Sequence, residues 1–109
     1  MPVPLPPCPI VQRSAELLPG LRDPIVHRAE EGKAKYGQYL SDNPRTEREK
    51  AVHQLQELLD ALNYELWREQ PAEWRVKLLC ALALDLLNAF PDLTLAELTF
   101  KEGHSGRPA

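Results

Sequence analysis

The chain has 109 residues, 43% of them hydrophobic, which is the size and composition of one domain with a modest core. A formal net charge of −3 and a pI near 5.6 argue against a duplex nucleic-acid binder, which shows a basic patch or stripe, and leave anionic small ligands to local Lys and Arg. No apolar run reaches membrane-spanning length, so no membrane partner is expected, and the start MPVPLPPCPI lacks the basic flank and long apolar region of a secretory signal.

Cys8 stands in a proline-rich segment and Cys80 in an apolar run, with no CxxC or Cys/His cluster near either, so a reduced, cytoplasmic protein is expected. Most of the eleven prolines fall in the first 24 residues. Residues 1–23 therefore read as an extended arm, residues 24–100 as a helical bundle and residues 101–109 as a flexible tail. Asp23-Pro24, Asn43-Pro44 and Gln70-Pro71 each place a polar residue beside a proline, the order favoured where a helix begins.

Three main helices follow from these signals. The first is predicted over residues 24–36 and ends at Gly37; Gly32 weakens it by about 1 kcal/mol relative to alanine. The second is predicted over residues 44–68, with Ala51, Val52, Leu55, Leu58, Leu59, Leu62 and Leu66 in one apolar stripe. The third, over residues 71–90, is apolar on nearly every side and is expected to be buried. Trp67 and Trp74 flank the Pro71 corner as expected core or interface anchors. Thr94 and Glu97 have capping-box spacing and predict one short helical turn. No alternating strand pattern competes, and the fold class is all-α. So much apolar surface on three helices predicts a homo-oligomer, since a monomer of this size would leave a large patch in water.

Chemistry concentrates on the second helix. His53, Glu57, Asp60 and Tyr64 share one of its faces, and oxygen-rich clusters of this kind suit magnesium or manganese; a solvated face has the same pattern. Glu30 and Glu31 form an acidic pair on the first helix, among Arg28, Lys33 and Lys35, where exposed ion pairs are the alternative. Asp85 is the only acid between Leu78 and Phe90; burying it unpaired is costly, so it is expected to face a metal, bond to a neighbouring helix or point outward. His27, His53 and His104 lack a zinc spacing, and neither a Ser/His/Asp set nor a glycine-rich phosphate loop is present.

The order Lys35-Tyr36-Gly37, a short loop, then a helix carrying QELLDALNY over residues 56–64 resembles the MazG-like nucleotide pyrophosphohydrolases of the all-α NTP pyrophosphatase group, over about residues 24–90. The resemblance implies a dimeric or tetrameric helical bundle that uses Mg2+ or Mn2+ to hydrolyse a nucleoside triphosphate to the monophosphate and pyrophosphate. It puts Glu57 and Asp60 in the catalytic, metal-binding ExxD pair, with Glu30, Glu31 and Asp85 as further metal-ligand candidates. The ion would clamp phosphate oxygens and activate water. Lys33, Lys35 and Arg28 are the candidates for neutralising the triphosphate, and Tyr36 and Tyr64 for stacking on the base. The chain departs from the pattern where Ala34 and Lys35 stand in place of a further glutamate and His53 in place of an acid. The other reading is a non-enzymatic, oligomeric interaction module that uses the apolar third helix and the proline-rich arm.

Overall fold

The computed structural model describes residues 3–99, and the tail assigned to residues 101–109, with His104, lies outside them. Every regular element among the described residues is helical. The elements are α1 (Pro9–Leu17), α2 (Arg22–Tyr36), α3 (Glu47–Trp67), α4 (Glu73–Ala89) and α5 (Leu95–Thr99), with 3-10 turns at Pro19–Leu21 and Leu40–Asp42. The region expected to form one bundle is divided at Pro44 and Arg45 between two compact units.

In the first unit the expected extended arm is only partly extended, because α1 occupies its second half. Pro9 takes the first turn of α1, where its missing N–H costs nothing, and the next nine residues contain no proline. Val11 and Ala15, one turn apart, are its buried residues. The Cys8 N–H donates to the Pro6 carbonyl, as does the Gln12 amide, which ties the proline segment to the helix. Helix α2 packs on α1. It begins upstream of the expected Asp23-Pro24 boundary, because the 3-10 turn at Pro19–Leu21 runs directly into it. It ends as expected at Gly37, whose φ of 81° lies in the left-handed region that glycine enters without a Cβ penalty. The core of this unit is Cys8, Val11, Val26 and Tyr39, with Val3, Ile25 and Ala29 packed against it.

In the second unit α3 starts at a full capping box, not at the expected Asn43-Pro44. The Thr46 hydroxyl accepts from the Glu49 N–H, and the Glu49 carboxylate accepts from the Thr46 N–H. Ala51 and Leu55 of the predicted stripe are buried, and Val52, Leu58 and Leu62 are half-buried. The Gln70-Pro71 start is also displaced. Ala72 is the N-cap of α4, and its N–H is satisfied by the carboxylate of Glu65, a buried side chain that also accepts from Arg75 Nε at 2.8 Å. The predicted capping box at Thr94 forms and starts α5, which packs on α3. Gln56 reaches from α3 to donate to the carbonyls of Glu97 and Leu98.

The expected burial of the third predicted helix does not occur. None of the residues of α4 is buried, and Trp67 and Trp74 are 83% and 63% exposed. A single hairpin of α3 and α4 has one mutual interface, which cannot cover a helix apolar on several sides.

Two substitutions test the second unit in urea titrations. Leu55→Ala should cost about 2–5 kcal/mol, as for other fully buried leucines, and Thr46→Ala about 0.5–2 kcal/mol, through loss of the cap.

Candidate functional site

Helix α3 sets Glu57 exposed and Asp60 half-buried, one turn apart, with His53 half-buried and Tyr64 exposed on the same face. His53, Glu57 and Asp60 each engage another group. Asp85 is exposed on α4, so its carboxylate escapes the cost of burial. Glu30 and Glu31 lie on α2, in the other unit. Glu30 accepts a hydrogen bond from the Tyr39 hydroxyl, and Glu31 is exposed. Among the described residues no group of three or more His, Cys, Asp or Glu side chains is arranged to hold a metal ion. Of the expected ligand set, Glu30 and Glu31 belong to the first unit and Glu57, Asp60 and Asp85 to the second.

The first unit holds a cavity of about 370 Å³. Lys33 and Tyr36, two of the candidate substrate-binding residues, line it together with Arg28, whereas Lys35 and Tyr64 do not. Ile25, Ala29, Gly32 and Tyr36 recur at helical spacing along one side of α2 and form one wall. Ile10 and Val11 of α1 and Leu40 beyond the Gly37 turn supply further apolar lining. Gln38, Tyr39 and Asn43 were missed by sequence reasoning, because they reach the cavity only after the left-handed turn at Gly37 reverses the chain. The ammonium of Lys33 stands 5.2 Å from the centroid of the Tyr39 ring, and that of Lys35 stands 5.3 Å from the Tyr36 ring.

Polar contacts in both units shift the protonation of individual side chains. The hydrogen bond to Glu30, reinforced by burial, holds the Tyr39 phenol up at about 12. Burial pushes the Cys8 thiol up, but hydrogen bonds from Ser41 and the Val11 and Ile10 N–H groups outweigh it and bring it below its ordinary value. In the second unit the Arg48 guanidinium meets Glu97 with two parallel bonds of 2.9 and 2.7 Å and meets Asp92 at 2.8 Å. Arg48, followed by the Thr94 N–H, holds the Glu97 carboxyl down at about 2. The Ala72 N–H, with Arg75, also lowers the carboxyl of Glu65. Neither Glu65 nor Arg75 was singled out in the sequence; the available signal was an acid and a base ten residues apart across a proline corner.

For Glu97 the folded value lies below the ordinary 4.5, so its stabilisation is complete above that pH and disappears as pH falls toward about 2. Glu97→Gln should be less stable than the parent at neutral pH and lose less stability across this acid window, as followed by circular dichroism. For Tyr39 the folded value lies above the ordinary 10.0, so its stabilisation disappears as pH rises from there to about 12, and Tyr39→Phe should flatten that alkaline limb.

Comparison of the chain with family models, with curated proteins and with solved structures returns no match.

Proposed function

We propose that the chain is a helical interaction module that assembles into a homo-oligomer through α3 and α4. The observation that carries this reading is the exposure of α4: Trp74, Leu78 and Leu82, one turn apart in a single row, are 63%, 50% and 45% exposed. Leu84 and Leu87 of α4 and Leu59, Leu66 and Trp67 of α3 are exposed as well. Apolar surface on this scale marks an interaction site. Two helical hairpins that lay such faces together complete a four-helix bundle, and a closed two-fold arrangement would cover both faces at once.

A second reading, a MazG-like nucleoside triphosphate pyrophosphohydrolase, is favoured by Glu57 and Asp60 standing one turn apart on α3. On this reading Glu30, Glu31 and Asp85, or carboxylates of another copy, would complete the metal site. Self-assembly is compatible with this chemistry and is also sufficient on its own as the simpler role.

Analytical ultracentrifugation of the full chain at micromolar concentration should give a discrete dimer or tetramer, and Leu78→Glu/Leu82→Glu should sediment as a folded monomer. A monomeric parent protein would overturn the assembly reading. Pyrophosphate release from nucleoside triphosphates with Mg2+ or Mn2+, abolished by Glu57→Gln and by Asp60→Asn, is the outcome expected of the hydrolase. Absence of release from an oligomeric protein would leave the interaction module alone.

A further inference from the structure

The cavity in the first unit has an unexplained glycine in its wall. Gly32 lies inside α2, and it is not among the residues with positive φ. A Cβ built on Gly32 meets nothing within 4 Å, so no neighbour forbids a side chain. Alanine would make the better helix. Neither the backbone nor the packing of this unit calls for glycine there; what the missing side chain provides is open space along α2, between Ala29 and Tyr36 on the same side of the helix.

Charge points to what would use that space. Arg28 and Lys33 are the charged residues that line the cavity; no carboxylate does, although the whole chain carries a net charge of −3. Neither cation is paired with an acid among the described residues, and Lys33 instead stands over the Tyr39 ring. The rest of the lining is mostly apolar, with Ser14, Gln38 and Asn43 as polar exceptions. A volume of about 370 Å³ falls at the small end of ligand pockets.

We propose that this cavity binds a small amphiphilic anion, whose apolar body lies along α2 over Gly32 and whose anionic head is met by Arg28 and Lys33. The cations give the head charge-assisted hydrogen bonds, and Ile10, Ile25 and Leu40 take the apolar body out of water. The cavity lies wholly within the first unit, so the proposal does not depend on assembly through α3 and α4.

The test is a titration of the full-length, isotope-labelled protein, with backbone amide shifts as the readout and sodium octanoate as the probe. Octanoate should shift the amides of Ile25, Ala29, Gly32 and Tyr36 in a saturable way, and 1-octanol, which has the same body without the charge, should bind about tenfold more weakly. Arg28→Gln/Lys33→Gln should lose about the same factor with an unchanged circular dichroism spectrum. Gly32→Leu should abolish the shifts, whereas Gly32→Ala should raise the thermal midpoint and still weaken binding. Equal affinity for octanol and octanoate would overturn the assignment of the head. Shifts with deoxyadenosine monophosphate but not with octanoate would overturn that of the body, and no saturable shift with millimolar octanoate would overturn the proposal. Octanoate shifts confined to α3 and α4 would do the same, since they report adsorption on the exposed apolar helices.

Discussion

The corner between α3 and α4 turns on one buried carboxylate. Glu65 accepts from the Ala72 N–H, which would otherwise be one of the orphan donors at the start of α4, and from the guanidinium of Arg75 one turn further on. A buried charge is tolerable only when its oxygens are met in this way. Glu65 is met from both the backbone and a side chain of the next helix, so the end of α3 and the start of α4 are held together. Arg75 also lies 4.9 Å from the Trp74 ring centroid, which links the polar anchor to the exposed row of α4.

That anchored hairpin explains why the apolar helix remains in water. Helix α3 covers one side of α4, α5 packs on α3, and Arg48 ties α5 back through Glu97. No described element packs on the remaining sides of α4. The leucines left there are exposed in the single chain, which is the observation behind the proposed assembly. The hairpin thus carries apolar surface beyond what its own two helices bury.

The first unit solves a different problem. Its core is small, and it depends on the proline segment folding back so that Cys8 seals beside Val11, Val26 and Tyr39. The Gly37 turn brings Tyr39 into that core and Leu40 to the edge of the cavity. One turn residue therefore serves both packing and the opening beside it, and the cations of α2 flank a space that is otherwise largely apolar.

Helical periodicity, the Gly37 stop and the Thr94 capping box were all legible in the chain, because each depends on residues no more than a few positions apart. The same locality makes the face shared by Glu57 and Asp60 readable. Proline density misled for residues 9–17, since a proline in the first turn leaves the following helix intact. The polar-proline pairs misplaced all three helix starts: a 3-10 turn runs into α2, Thr46 caps α3, and Glu65 accepts from the N–H of Ala72 at the start of α4. What residue order alone determined is the helical class and the spacing of side chains on each face. Which faces are covered, where the chain divides and that Gly32 opens onto a cavity were decided by tertiary structure, because burial depends on contacts between residues distant in sequence.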